Sequence, residues 1–174
     1  MQQPVQPEFS RRVAWDRVRD VAVELRVEAN AQERAALAER FGLLRLDSLS
    51  AELTLLRLDG ERVRCWGRLR ADLAQACVVT LEPVRQQVDE AVELVFSRLI
   101  GADQGTIDIA AEDAADHEPL LEGQMEVGES IAQQLAVSLD PYPRRPDAAW
   151  EPAAETPEPE KNPFAALAKT PIQR

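Results

Sequence analysis

The chain of 174 residues has few aromatic residues, two cysteines, one histidine and no apolar run of the kind that crosses a membrane. A membrane-spanning helix needs about 20 consecutive apolar residues. The first residues, MQQPVQPEFSRR, lack the apolar core of a secretory signal, so we expect a cytoplasmic protein with free thiols. Aromatic residues make up only 5% of the chain, so aliphatic side chains must supply most of the core.

The scarcity of cysteine and histidine argues against metal binding and catalysis. A zinc site needs about four ligands at suitable spacings, and Cys65, Cys77 and His117 do not supply them. His117 lies in an acidic stretch with no scaffold to orient it for acid–base work. The chain also lacks the glycine-rich and serine-nucleophile motifs of phosphate binding and hydrolysis. We therefore expect no metal, no cofactor, no small-molecule substrate and no enzymatic activity.

The net charge of −11 is unevenly distributed along the chain. Residues 1–110 carry 15 basic and 18 acidic side chains, whereas residues 111–174 carry 5 and 13. Proteins that bind nucleic acid usually have a basic footprint, so strong non-specific RNA binding by the whole protein is not expected. An acidic chain suits a basic protein partner at least as well.

The first part of the chain predicts two strands followed by a helix. Residues 9–15 predict a short strand, and the apolar alternation in residues 21–29 predicts a second, half-buried one. The Asn30 side chain can cap the following helix and form a capping box with Glu33. Gly42 can end that helix in the left-handed conformation.

Residues 49–73 predict a β-hairpin with Asp59-Gly60 in its turn. A three-residue loop would place Gly60 at the position that needs a positive φ. It would also pair Leu55 with Val63, which puts the apolar residues of both strands on one continuous face.

Further along the chain, residues 76–81 predict a short strand and residues 84–96 a long one. Residues 101–119 hold Gly, Asp, Glu and Ala with little periodicity, which indicates a mobile acidic loop. The composition from residue 147 onward is rich in Pro, Glu and Ala, which predicts disorder.

These elements predict an α+β fold, with an antiparallel sheet of about four to six strands and two packed helices. Residues 1–7 are expected to be a flexible N-terminus and residues 8–146 a single domain. The mobile acidic loop interrupts the domain, and a disordered tail at residues 147–174 follows it.

The second helix is predicted from residue 128, with Ile131, Leu135 and Leu139 on one apolar face. Pro141 ends it, because proline disfavours a helical residue before it. Residues 141–146, which we call the strap, are held extended by three prolines. The strap residues that we expect to contact a partner are Tyr142, Pro143, Arg144 and Arg145. The other interpretation is a strap that closes the domain, with Tyr142 packed and the arginines solvated.

A basic and aromatic stripe is predicted on the polar face of the hairpin. Arginines can pair with phosphate and a tryptophan can stack on an unpaired base, so this face is the candidate RNA-binding site. The other interpretation is an ordinary exposed face whose arginines are neutralised by nearby acids, with Glu52 opposite Trp66. The stripe consists of Arg62, Arg64, Trp66, Arg68 and Arg70.

Four segments of the chain, in order, resemble the bacterial YceD family in its alphaproteobacterial form. They are ER-x-x-LAERF within residues 29–41, CVVTLEPV at residues 77–84, GESIAQQLAVSLDPYPRRP at residues 128–146 and NPFAAL at residues 162–167. Many family members carry a Cys-x-x-Cys pair in the second segment, where this chain has Thr80, so a metal or redox role of that pair is in doubt here.

The resemblance implies a function in accumulation of large-subunit (23S) ribosomal RNA and thus in ribosome biogenesis. It favours a non-enzymatic factor that binds a ribosomal protein or a large-subunit precursor, and rRNA is a further possible partner. It also marks the strap as a partner-binding element, together with Phe164 and Leu167 of the tail. The alternative is direct RNA binding by the arginine stripe.

Overall fold

The computed structural model of the protein describes residues 7–98, 116–120 and 123–149, and it has an α+β fold. The expected fold class, a sheet with two packed helices, is confirmed. The elements in chain order are β1 (Arg12–Ala14), a short 3-10 helix (Trp15–Arg17), β2 (Val23–Glu28), α1 (Ala31–Arg40), β3 (Arg45–Arg57), β4 (Arg62–Ala76), β5 (Pro83–Ser97), β6 (Asp116–Pro119), β7 (Gln124–Glu126) and α2 (Val127–Val137).

The main sheet has five strands in the order β2-β3-β4-β5-β6. Its strands are antiparallel except β6, which runs parallel to β5. The second side of β5 is paired with β6 only at residues 94–97, so residues 83–93 form an open edge within the described part of the chain. The predicted first strand shortens to β1, which pairs with β7 in a separate small sheet.

The core lies between one face of the main sheet and the two helices. Side chains alternate along the strands, so that the odd-numbered side chains of residues 63–71 in β4 are buried while the even-numbered ones are exposed or half-buried. Burying one leucine side chain stabilises a fold by about 1.5–3 kcal/mol. The largest aliphatic side chains of this core include Leu37, Leu49, Leu55, Leu69, Leu73, Leu94, Ile131 and Leu135.

The register of the β3–β4 hairpin differs from the predicted one. Leu55 pairs with Cys65 rather than with Val63. The cause is Asp59, whose Oδ1 accepts hydrogen bonds from the backbone N–H groups two and three residues further on, at 2.8 and 2.7 Å. The loop is therefore wider than three residues, and Gly60 has no positive φ. Because the register moves by two residues, the apolar face is the predicted one.

Residues 76–81 do not form the predicted strand. Strand β4 continues to Ala76, and residues 77–82 form the turn that joins it to β5. In this turn the N–H of Leu81 donates to the carbonyl of Cys77 at 2.9 Å, and Leu81 has a φ of 61°. The aliphatic residues of this segment favour a strand by propensity, but the hydrogen bonds within the turn prevail.

Helix α1 begins and ends as predicted. The Asn30 side chain accepts hydrogen bonds from the backbone N–H groups of Gln32 and Glu33 at 2.9 and 3.0 Å. The Glu33 carboxylate accepts one from the backbone of Asn30 at 2.8 Å, which completes the capping box. Gly42 follows the helix with a φ of 63°. Helix α2 buries Ile131 and Leu135 as predicted, but it begins one residue earlier. It also ends at Val137, so Leu139 lies after the helix and not on its apolar face as predicted.

An N-terminal arm, residues 8–14, crosses the start of α2. The buried Glu126 carboxylate accepts hydrogen bonds from the backbone of Arg11 and the side chains of Ser10 and Arg12, at 2.7–2.9 Å. Arg40 of α1 binds Glu129 of α2 through both terminal guanidinium nitrogens, at 2.9 and 2.8 Å. These contacts fix the arm and both helices to one another.

The predicted acidic loop at residues 101–119 falls mostly outside the described residues, and its last part is structured. Asp116–Pro119 form β6, in which His117 lies opposite Val95 of β5. Residues 1–6, and the predicted tail from residue 150, also lie outside the described residues. In the ranges described, no helix is long and apolar enough to cross a membrane.

Replacing Gly128 by alanine should destabilise the fold. A Cβ atom there would lie 2.3 Å from the carbonyl oxygen of Phe9 and 2.7 Å from the backbone nitrogen of Arg11, so the arm would have to move. We expect Gly128→Ala to lower the free energy of unfolding by about 1–3 kcal/mol in urea denaturation. Gly60→Ala is the matched control, because a Cβ at Gly60 meets no atom within 4 Å. Equal stability of the two variants would contradict the close contact.

Candidate partner-binding surface

The strap is fixed to the end of the β4–β5 hairpin. The carbonyl of Pro143, a buried residue, accepts a hydrogen bond from the backbone N–H of Val78 at 2.9 Å. Just before the strap, the Gln75 side chain donates to the carbonyl of Asp140 at 3.0 Å. The strap is thereby held as a part of the domain.

Arg145 also holds the strap in place, whereas Arg144 does not. The Arg145 guanidinium binds Glu82 in the turn and Asp147 after the strap, the latter at 2.7 Å. The hydrogen bond to Asp147 raises the pKa of Arg145. Arg144 is exposed and forms no ion pair or hydrogen bond with any residue in the described ranges.

Tyr142 faces solvent, with 71% of its surface exposed. Its backbone N–H donates to the Asp140 carboxylate at 2.9 Å, which fixes the main chain while the ring stays free. The alternative of a packed Tyr142 is therefore wrong. The strap residues divide into Pro143 and Arg145, which fix the segment, and Tyr142 and Arg144, whose binding role stays a prediction.

Other apolar side chains are exposed at the same end of the sheet. In the turn, Val78 is 47% and Leu81 is 75% exposed, and Val137 at the end of α2 is 81% exposed. Val78 and Val137 line one shallow groove together with Pro141 and Pro143. Clustered exposed apolar side chains are typical of protein-interaction sites. We define the apolar patch as Val78, Leu81, Val137 and Tyr142.

The sequence patterns identify Tyr142 but not the other members of the apolar patch. The sequence pattern predicts a strand at residues 76–81, so it does not identify Val78 and Leu81 as exposed turn residues. The hydrogen bonds that close this turn cannot be recognised from the pattern. The exposure of Val137 could have been predicted from the helical periodicity of the sequence. Val137 comes two residues after the buried Leu135, so it lies on the opposite side of a helix with 3.6 residues per turn.

Cys77 lies at the base of the turn, where hydrogen bonds surround its sulfur. The Thr80 hydroxyl and the backbone N–H groups of Arg145 and Thr80 lower the pKa of the Cys77 thiol to about 7. Burial in the sheet instead raises the pKa of Cys65 to about 12. Thr80 thus donates to the sulfur. In the described parts of the chain, no group of three or more His, Cys, Asp or Glu side chains is placed to hold a metal ion.

The arginine stripe lies on the outer face of β4 as predicted, but carboxylates pair with its guanidinium groups. Arg64 binds Glu93 at 2.6 Å and Arg68 binds Asp89 at 2.7 Å, both across to β5. The other ion pairs of the stripe are Arg62–Asp59 at 2.8 Å, Arg70–Glu52 at 3.4 Å and Arg70–Asp89 at 3.7 Å. This alternation of charge reduces the attraction that the stripe can exert on phosphate.

Trp66 is half-buried in the middle of this face. Its ring centroid lies 5.1 Å from the Arg64 guanidinium carbon, so a cation already occupies part of its surroundings. Trp66 pairs with Thr54 on β3, and Glu52 lies opposite Arg68 rather than opposite Trp66 as predicted. Binding of RNA by this face stays a prediction.

Of two further sequence features, the tail motif and His117, the structure describes only His117. Phe164 and Leu167 of the tail motif lie outside the described residues. His117 in β6 is half-buried, and its Nε2 has no hydrogen-bond partner among the residues described. A strand therefore orients His117, contrary to the expectation that it has no scaffold.

Comparison with known protein families decides the relationship. The model of the family described as "Large ribosomal RNA subunit accumulation protein YceD" matches residues 66–169, more than half of the 174 residues. The chain belongs to the YceD family. The matched region contains the turn, the strap, α2 and the NPFAAL segment, whereas the resemblance of residues 29–41 lies before it and stays a prediction.

Membership of the YceD family gives this chain a role in accumulation of large-subunit ribosomal RNA, and hence in ribosome biogenesis. No curated protein and no solved structure matches the chain significantly. The apolar patch and the strap lie entirely within the part of the chain that the YceD match covers.

The two cysteines of this YceD-family chain predict different pH dependences of stability. A lowered folded-state pKa stabilises the fold above the unfolded pKa of about 8.5, and this contribution is lost as the pH falls through about 7. Cys77 should therefore raise the free energy of unfolding between about pH 7 and pH 9, and Cys77→Ser should weaken that rise. The measurement is urea denaturation under reducing conditions at a series of pH values.

Cys65→Ser is the control for this prediction. Because the folded pKa of Cys65 is raised, its ionisation in the unfolded state opposes stability only as the pH rises past about 8.5. Cys65→Ser should therefore leave the rise in the free energy of unfolding between about pH 7 and pH 9 unchanged, or make it steeper. If Cys77→Ser and the wild type show the same rise, the hydrogen bonds to the Cys77 sulfur do not stabilise its thiolate.

Proposed function

We propose that this protein is a non-enzymatic assembly factor of the large ribosomal subunit. It promotes accumulation of 23S rRNA by binding a ribosomal protein or a large-subunit precursor, in the cytoplasm. The observation that carries this proposal is the apolar patch. It lies beside Arg144 of the strap and within residues 66–169, the region that the family model matches. Such surfaces recognise macromolecules through burial of apolar area.

The charge distribution favours a protein partner over RNA at this site. The net charge of −11 suits a basic protein, and ribosomal proteins are generally basic. The arginine stripe, which is the rival site for direct RNA binding, pairs with Glu93, Asp89 and Glu52. Phosphate would have to compete with these carboxylates.

The proposal is tested by affinity capture of the full-length protein from growing cells that contain it. Lysis at low and at high salt, with and without nuclease, separates RNA contacts from protein contacts, because phosphate contacts weaken steeply as salt rises. We expect a ribosomal protein or a large-subunit precursor to be captured, with the protein component retained after nuclease and at high salt. Recovery of no large-subunit component would contradict the proposed function.

A double variant tests the use of the strap. Tyr142→Ala with Arg144→Ala removes the two strap side chains that face solvent, and it should lower the amount of captured partner about tenfold or more. Val21→Ala with Arg19→Ala is the matched control, because Val21 is 72% exposed and lies beside the opposite end of the sheet. Equal loss in both double variants would indicate a general effect on folding and not a strap contact.

A triple variant tests the rival function. If the arginine stripe binds RNA directly, Arg64→Ala with Trp66→Ala and Arg68→Ala should abolish rRNA capture and flatten its salt dependence. If the proposed protein contact is correct, the triple variant should capture its partner as the wild type does. Loss of rRNA alone, with no ribosomal protein captured by any variant, would favour the stripe.

A further inference from the structure

Leucine is an unusual residue for the position that Leu81 occupies in the fold. Its φ of 61° lies in the left-handed region, which disfavours every residue with a branched or long side chain. Its side chain is also 75% exposed, so it gains little from burial in the core. Strained backbone conformations of this kind cluster at functional sites.

The turn holds Leu81 in this conformation through its own hydrogen bonds. The N–H of Leu81 donates to the carbonyl of Cys77 at 2.9 Å, and the N–H of Cys77 donates to the carbonyl of Glu82 at 2.8 Å. The Glu82 side chain in turn binds Arg145 of the strap. An apolar side chain on a fixed turn loses little conformational entropy when a partner covers it.

Other apolar side chains are exposed at the same end of the sheet as Leu81. Val78 belongs to the same turn and shares the shallow groove with Val137. The hydrogen bond from Val78 to Pro143 sets Tyr142 beside the turn. The result is an aliphatic surface with one aromatic side chain, which matches a partner that offers aliphatic side chains in return.

The charge of the chain favours a basic partner. The net charge is −11, and residues 111–174 carry 13 acidic and 5 basic side chains. At the patch itself, Glu82 and Asp147 are more than half exposed, although both also bind Arg145. An acidic chain attracts a basic partner through its overall field.

We infer that the apolar patch binds a basic segment with aliphatic side chains from a large-subunit ribosomal protein, and that Leu81 is the main apolar contact. This inference rests on the proposed function and adds to it the chemistry of the partner and the residue that holds it. The apolar contact persists at high salt, whereas the attraction between the acidic chain and the basic side chains of the partner weakens.

The test measures binding of full-length protein to the RNA-free protein mixture extracted from purified large ribosomal subunits. In the Leu81→Asn variant, asparagine tolerates the left-handed conformation, so we expect an unchanged or higher melting temperature. The affinity for the retained ribosomal protein should fall about ten- to a hundredfold, as expected when a buried leucine contact is removed. Leu58→Asn is the matched control, since Leu58 is 48% exposed in the loop at the other end of the β3–β4 hairpin.

A second substitution and a salt series complete the test. Val137→Ser, on the surface of α2, should also weaken binding, and it keeps the test decisive if Leu81→Asn disturbs the turn. Binding by the wild type should weaken as salt rises from about 50 mM to about 500 mM but should persist, because salt screens the charge attraction and not the apolar contact.

The outcomes separate this inference from the proposed function. If the wild type retains a ribosomal protein and both Leu81→Asn and Val137→Ser bind it equally well, the inference is overturned and the proposed function stands. If the wild type retains no protein of the mixture but binds isolated 23S rRNA, the inference and the protein-partner proposal are both overturned.

Discussion

The structure depends on strand β4, which is paired along its length with β3 on one side and β5 on the other. A register slip of one residue would turn its arginines into the core and its buried residues into solvent. Gly67 supports the pairing, because a Cβ there would lie 2.0 Å from the carbonyl oxygen of Glu52 on β3. The turn that follows β4 carries Leu81 and receives the strap, so the position of the candidate site depends on this register as well.

Local chemistry explains which parts of the fold were predictable. The capping box of Asn30 and Glu33 and the positive φ of Gly42 need only neighbouring residues, and both are as expected. The alternation in β3 and β4 predicts the correct buried face, but the register is wrong because the Asp59 carboxylate binds two backbone N–H groups and widens the loop. Propensity cannot show that such a bond will form.

The candidate site was predictable only in part, for a different physical reason. The prolines around Tyr142 reveal an extended segment, and the exposure of Tyr142 and Arg144 agrees with the predicted presentation to a partner. The apolar patch joins the β4–β5 turn, the end of α2 and the strap, which are brought together only by the tertiary fold. The hydrogen bond between Val78 and Pro143 spans more than sixty residues, and no local pattern encodes it.

Within the described part of the chain, the open edge of β5 has a consequence for how a partner can be recognised. Residues 83–93 begin with a proline and include Arg85, Asp89 and Glu90, features that discourage another strand from adding to an exposed sheet edge. Extension of the sheet by a bound peptide, a common mode of recognition that reads mainly backbone, is therefore disfavoured at this edge. A partner that approaches the neighbouring turn must be selected by the shape and chemistry of its side chains, which makes recognition sensitive to the partner's sequence.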